Sequence, residues 1–478
     1  MMISTITTSK NNNIIIFFIL LLSFFGATLL FSQDILIATA VFAVLSLSLI
    51  FIVKPVWLFY FFMVFFVFSE VSFGNLFIEL SLSNYFSVMA LVIAFIYGLS
   101  RKNFSKNLAT RRILLFIVLF GTLFLVEILS AIANDAFRPL TTRISHLASI
   151  LYIFLLVSNR SVIHKGIILG ILSIGILSIL TILAGLDLNP FGYRAAISWG
   201  STPWEGFIHR SIGLANMQGG LHSIYIISFL PFAISFMINR KNLQINRVAF
   251  LFLGFISIVG VLALMIASYR SGWLGLAMSI ICIFIFLFNS PKLSINTKVL
   301  FSSVIIIFIV FLTIFQRQQI LDQFYKVFFD VRNQGIEARL IQYSYVIQEM
   351  LYPSINIIYG FGYEKFGNSF MAYVAQEGIN NPELFPWLHN YFLGLLFASG
   401  WLGFLIFLII SWLIFRTLYL KIREKNGYDR AFSVANFSSL AGIYIVLLFT
   451  AEISGLQIMW ILMAFAIQGM KKSRKEII

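Results

Sequence analysis

Long apolar runs separated by short polar breaks fill most of the chain from residue 14 onward. The runs fall at about 14–32, 35–53, 55–69, 82–99, 113–133, 144–158, 166–186, 219–238, 248–267, 273–289, 299–315, 391–415, 432–450 and 455–468. A helix of about 20 residues crosses a hydrocarbon core of about 30 Å. Backbone groups in lipid must be satisfied within the segment, so each run is expected to be helical. The pattern predicts an all-α integral membrane protein with about 12–14 transmembrane helices. The lower count allows for the short runs 55–69, 144–158 and 455–468, a pair of which reads equally well as re-entrant or interfacial. The first run reads as a retained helix, because no small-residue cleavage site follows it.

The breaks themselves are uneven. Most are a few residues long, but 187–218 spans about 32 residues and 316–390 about 75. A connection of the latter length has its own structure or function. Within it, residues 336–351 carry apolar positions at helical spacing and predict an amphipathic helix. Gly360, Gly362 and Gly367 then mark a turn-rich stretch.

Composition agrees with the membrane reading. Of 478 residues, 60% are hydrophobic and 11% charged, where a soluble chain has roughly 25% charged. The net charge of +15 raises the question of a nucleic-acid partner. Its distribution argues against one. With fourteen spans, the basic breaks all fall on one side, which collects 23 basic and 3 acidic residues. The other side has 10 basic and 14 acidic residues, leaving Glu127 inside a span. That asymmetry is the positive-inside pattern. It predicts cytoplasmic termini and an outer face bearing both long breaks. The single cysteine, Cys282, excludes an intrachain disulfide and any cysteine-based metal site.

The outer face is rich in arginine: eight of its ten basic residues are Arg, whereas Lys outnumbers Arg 13 to 10 on the inner side. Arginine presents a planar fork of donors that suits phosphate. Interfacial anchoring and pairing with the outer acids account for the same residues. Arg270 sits in the short turn Ser268-Tyr269-Arg270-Ser271-Gly272, and Arg210 in His209-Arg210-Ser211-Ile212-Gly213-Leu214-Ala215-Asn216. A charge so near the hydrocarbon edge needs a partner, and a snorkelling role is the alternative for each. Glu127 reads as paired with Arg138, Arg143 or His146. At the end of the large break, His389-Asn390 precedes a span, followed after nine residues by Gly400 and after two more by Gly403. A histidine at a span mouth is a candidate general base.

Four segments, in the chain order 210–216, 268–272, 360–362 and 389–403, resemble the motifs of the O-antigen ligase and polymerase family of lipid-linked glycan transferases. His389-Asn390 with Gly400 and Gly403 is similar to its string of His followed by Asn, Ser or Gln, then nine residues and Gly-x-x-Gly. The Arg270 turn is similar to its Ser-x-Arg-x-Gly, residues 210–216 to its Arg-x-x-Gly-x-x-Asn, and Gly360-Phe361-Gly362 to its Gly-x-Gly. The resemblance covers about residues 205–415. It implies a GT-C-like membrane glycosyltransferase with one large helical periplasmic loop, placed in the bacterial inner membrane with its active face periplasmic. It divides the chain into N-terminal helices (1–186), a catalytic region (187–415, including loop 316–390) and C-terminal helices (416–478).

The implied reaction moves a glycan from undecaprenyl diphosphate to an acceptor hydroxyl on lipid A-core or on another lipid-linked glycan, within the lipid bilayer. By the same analogy His389 activates the acceptor and Arg210 and Arg270 hold the diphosphate. Arg339, Asn390 and Tyr363 are further candidates for donor or acceptor contacts. Tyr363, Trp387 and Tyr391 suit stacking on sugars and equally suit an interfacial aromatic belt. No Asp-x-Asp pair, Walker motif or dinucleotide fingerprint occurs, so neither cofactor nor metal is expected. Ligation to lipid A-core and polymerisation of repeat units both fit the motifs, and the complete histidine string tilts the reading toward ligation. A flippase or transporter is the alternative of another class. It would place ionisable residues along a midplane path, where this chain has Glu127 alone.

Overall fold

The computed structural model describes residues 46–68, 82–100, 111–134, 138–157, 160–185, 219–266, 270–288, 334–352, 354–362, 365–381, 386, 388–424, 427–450 and 456–468. Every regular element among them is a helix. In chain order they are α1 (Val56–Phe65), α2 (Leu82–Ser100), α3 (Arg111–Asn134), α4 (Arg138–Leu156), α5 (Arg160–Gly185), α6 (Gly219–Ile238), α7 (Arg247–Ile266) and α8 (Arg270–Phe288). There follow α9 (Gln334–Leu351), α10 (Asn356–Tyr359), α11 (Lys365–Gln376), α12 (Tyr391–Glu424), α13 (Gly427–Leu447) and α14 (Leu456–Gln468).

Each predicted span within the described residues is helical, and the described part of 35–53, residues 46–53, is helical too. Spans 14–32 and 299–315 lie outside the described residues. The amphipathic helix expected at 336–351 is α9. Five helices are long and apolar enough to cross a membrane: Arg112–Asn134, Arg160–Leu183, Arg247–Met265, Tyr391–Glu424 and Gly427–Leu447. Six shorter helices are apolar as well. The molecule is an all-α integral membrane protein.

Its helices are apolar on the outside as well as within. On α7, Val248, Leu251, Phe255, Ile258 and Leu262 are exposed, as hydrocarbon contact requires. The inside is laced with small polar residues. Ser279 Oγ on α8 donates to the Ser438 carbonyl on α13 at 2.9 Å. Ser439 Oγ donates to the Ser228 carbonyl on α6 at 2.9 Å, and Ser235 Oγ to the Ala431 carbonyl at 2.8 Å. Gly275 and Gly442 bring α8 and α13 so close that a Cβ on either would lie 2.7 Å from the other's carbonyl oxygen. Close approach through small residues, sealed by serine hydrogen bonds, is how helices associate where water supplies no hydrophobic drive.

Helix α14 is the hub. All its residues from Leu456 to Ile467 are buried. Trp460 meets Phe120 of α3 and Phe407 of α12 edge-on, and His146 of α4 lies beside it. Gln457 donates to both Ser87 of α2 and Ser149 of α4 at 2.9 and 2.8 Å.

The described part of the long break folds as its own layer. Tyr345, Val346 and Met350 of α9 and Phe366 and Phe370 of α11 pack with Leu388, Leu396 and Phe397 into a second apolar core. This core sits on the Tyr391 end of α12, where the candidate site lies.

Candidate active site

Asn390 sets where α12 begins. Its side-chain Oδ1 accepts from the Leu393 amide at 3.0 Å, and its carbonyl accepts from the Gly394 amide at 2.9 Å. This is an N-cap: it satisfies one of the four amides that a helix start leaves without partners. Asparagine is among the strongest caps. His389 is thereby held one residue ahead of a helix N-terminus, with Leu388 buried below it as an anchor.

The His389 side chain is half-buried. Burial, and then the charge of Arg339, push its imidazole down to about 4. It is therefore neutral near pH 7, the form able to accept a proton. Arg339 and Tyr343 stand one turn apart on α9 and share a face. The Tyr343 hydroxyl donates to the His389 carbonyl at 3.2 Å. Burial raises the Tyr343 phenol, while Arg339 and a hydrogen bond with the Asn390 side chain act the other way. The structure thus brings Arg339, His389 and Asn390 together. It adds Tyr343, which sequence reading saw only as part of an amphipathic helix. The available signal was its position four residues after Arg339.

Behind the histidine, α12 is two helical pieces joined at Gly400, where φ is 65° and ψ −174°. Such a break deprives the preceding carbonyls of their usual intrahelical donors. The Gly360-Phe361-Gly362 segment supplies replacements. The Phe361 amide donates to the Phe397 carbonyl at 2.8 Å, and the Gly362 amide to the Ala398 carbonyl at 3.1 Å. Phe361 and Phe397 stack, their ring centroids 4.9 Å apart. Two side chains from α3 close the junction. Ser130 Oγ donates to the Ala398 carbonyl at 2.7 Å, and Asn134 Nδ2 to the Gly360 carbonyl at 3.2 Å. Neither α3 residue belongs to any of the four sequence motifs. Glu127, one turn below Ser130, is 6% exposed.

The remaining candidates divide as follows. Arg270 is the first residue of α8, with its backbone alone described. Nearby on α8, the Trp273 indole donates to the Leu264 carbonyl of α7 at 2.8 Å. Gly272 in the first turn of α8 packs on Ser223 of α6. Arg210, Tyr363 and Trp387 lie outside the described residues. Tyr391 is buried against Phe392 and Phe407 in the main apolar core of the helix bundle, which removes it as a sugar-stacking ring. Two histidines without a motif are held structurally: His222 Nε2 lies 2.8 Å from Thr181 Oγ1, and His164 Nδ1 3.1 Å from the Tyr428 hydroxyl.

A break in α12 that docks a Gly-x-Gly segment beside a capped His-Asn is the three-dimensional form of the sequence motifs, and residues 255–408 match the family described as O-antigen ligase. Residues 255–408 resemble an O-antigen ligase domain. The match takes in Arg270, Arg339, His389, Asn390, Gly400 and Gly403, and leaves Arg210 outside it. The match supports membrane glycosyltransferase activity of the O-antigen ligase or polymerase type. No curated protein matches the chain.

Proposed function

We propose that this protein transfers an undecaprenyl-diphosphate-linked glycan to an acceptor hydroxyl at the periplasmic face of the bacterial inner membrane, most simply by joining O-antigen to lipid A-core. The observation that carries the reading is the His389 site: a neutral, half-buried imidazole fixed ahead of a helix N-terminus beside Arg339 and Tyr343. In the step, the acceptor oxygen bonds to the anomeric carbon as the bond from that carbon to the diphosphate oxygen breaks. His389 takes the acceptor proton. The diphosphate leaves with the bonding electron pair, and fixed cations offset its growing charge. Arg270 and Arg210 fill that role, with Arg339 nearer the acceptor. Arginine rather than a metal ion meets the diphosphate in this scheme.

The orientation rests on charge: 23 basic against 3 acidic residues on the side assigned to the cytoplasm. Both termini then lie in the cytoplasm, and 187–415 forms the catalytic region between flanking helical parts.

Deletion of the gene, with lipopolysaccharide and lipid-linked glycans analysed together, tests the reading. Lipid A-core without repeats, alongside long glycan retained on the lipid carrier, is the ligase result. Core bearing at most one repeat, with no long chains formed, assigns repeat-unit polymerisation instead. Unchanged pools overturn both. Complementation with His389→Ala separates transferase from transporter: a transferase loses nearly all activity, whereas a flippase tolerates the change.

A further inference from the structure

The elbow from α9 to α10 has a second apolar face. Ala338, Gln342, Tyr345, Val346 and Met350 turn into the fold, while Leu340, Ile347 and Leu351 stand exposed at helical spacing on the opposite side. Past the helix end the face continues through Tyr352, Ile355 and Ile358. Leu351, Tyr352 and Ile355 are 70%, 71% and 72% exposed. No charged side chain occurs from Met350 to Gly362. A cluster of large apolar residues without a charge is not a surface that water selects.

Two contacts join this face to α12 at the level where its own lipid-facing surface starts. The Trp401 indole donates to the Met350 carbonyl at 3.3 Å. The Ile358 carbonyl lies against Gly400. From Trp401 onward, Leu402, Leu405, Ile409 and Trp412 are exposed on α12, and on a membrane-crossing helix such residues face hydrocarbon. The elbow is continuous with that surface. Trp401 and Tyr352 at the seam are residue types enriched where acyl chains meet headgroups.

We propose that the α9–α10 elbow is an interfacial membrane-binding surface, with Leu351, Tyr352 and Ile355 seated in the headgroup–acyl boundary of the leaflet around the Trp401 end of α12. Its occupant is bilayer lipid. Apolar area buried in that boundary sets the depth of the helix, so the elbow fixes the height of Arg339, Tyr343 and His389 above the hydrocarbon. That last consequence rests on the proposed function; the surface itself does not.

The test uses the full chain in phosphatidylethanolamine–phosphatidylglycerol nanodiscs. Bimane is attached to Leu351→Cys, Ile355→Cys and, as a control at the exposed position just past the end of α11, Glu377→Cys. The unaltered chain supplies the background from buried Cys282. Bromination of the lipid acyl chains should quench positions 351 and 355 several-fold more than 377, and aqueous iodide should show the reverse order. Equal iodide access at all three positions without bromolipid quenching overturns the proposal. So does self-crosslinking through 355 that removes the bromolipid effect, which would assign the face to a second copy. Unaltered Tyr352 provides a check free of substitution in the elbow: a benzophenone-bearing lipid should label the segment containing it, and absence of labelling there counts against lipid contact.

Discussion

Gly360 and Gly400 face each other across the junction of α10 and α12, both with positive φ, 85° and 65°. A Cβ on Gly400 would stand 2.7 Å from the Gly360 amide nitrogen, and one on Gly360 2.5 Å from the Ser399 amide nitrogen. The two glycines therefore do one job. They let a backbone segment from the large loop replace the hydrogen-bond donors that a broken span has lost, and this couples the layer carrying Arg339 and Tyr343 to the helix that carries His389.

Gly400→Ala should uncouple the two layers. Strained backbone of this kind costs a side chain about 1–3 kcal/mol, and the Ile358 carbonyl blocks relief. We expect a lowered melting temperature in detergent and strongly reduced glycan transfer. Gly378→Ala, also at positive φ (64°) but with open space around it, should cost about 1–2 kcal/mol and leave transfer nearly intact. Equal effects at the two sites would refute the coupling role.

The pH dependence follows from a buried imidazole displaced to about 4, below its ordinary value of about 6.5. The neutral form is the active one, so transfer should stay level above about pH 5 and fall as pH drops through about 4. Stability shifts in the same direction: as pH falls from about 6.5 the unfolded chain takes up the proton first, which favours unfolding. Arg339→Gln removes a cation that depresses the imidazole, so its acid limb should move to higher pH. A limb near pH 6.5 in the unaltered protein would contradict the buried neutral histidine.

Tyr343→Phe deletes one hydroxyl that holds the His389 carbonyl. A net hydrogen bond is worth about 0.5–1.5 kcal/mol, so transfer should fall roughly 2- to 12-fold. The acid limb of the pH profile should change little, because the imidazole keeps its burial and its arginine. A complete loss would mean that the phenol touches substrate.

Asn390 offers a rescue experiment. Asn390→Ala should remove about 1 kcal/mol of cap stabilisation and reduce activity by loosening the start of α12. Asn390→Ser restores a capping oxygen and should recover most of it. If serine is as poor as alanine, the Asn390 amide acts on substrate rather than on the helix.

Paired changes at α3 probe the far side of the same junction. Ser130→Ala and Asn134→Ala each remove one hydrogen bond to it. Both bonds hold the same contact, so the double variant should deviate from additivity by about 0.5 kcal/mol or more in thermal unfolding. Strict additivity would show that the two residues act independently.

The sequence by itself determined the helices that meet lipid and the order of the chemical groups. A bilayer imposes a fixed thickness, so the run 113–133 could hardly be anything but α3, and 391–415 anything but part of α12. The helix continues to Glu424 because Lys421 and Arg423 favour its C-terminal end beyond the hydrocarbon. His389, Asn390 and Arg339 could be named as candidates from the sequence through the resemblance to the family's motifs. Tertiary structure decided the rest. That Gly400 breaks the helix, that Gly360-Phe361-Gly362 docks on the break, and that Ser130 and Asn134 close it from more than 220 residues away in sequence depend on non-local backbone hydrogen bonds. These are satisfied by whichever groups the packing delivers, and no local pattern encodes them. Tyr391 shows the same limit in reverse: aromatic at a span mouth in sequence, it is turned by the helix phase into the apolar core of the bundle.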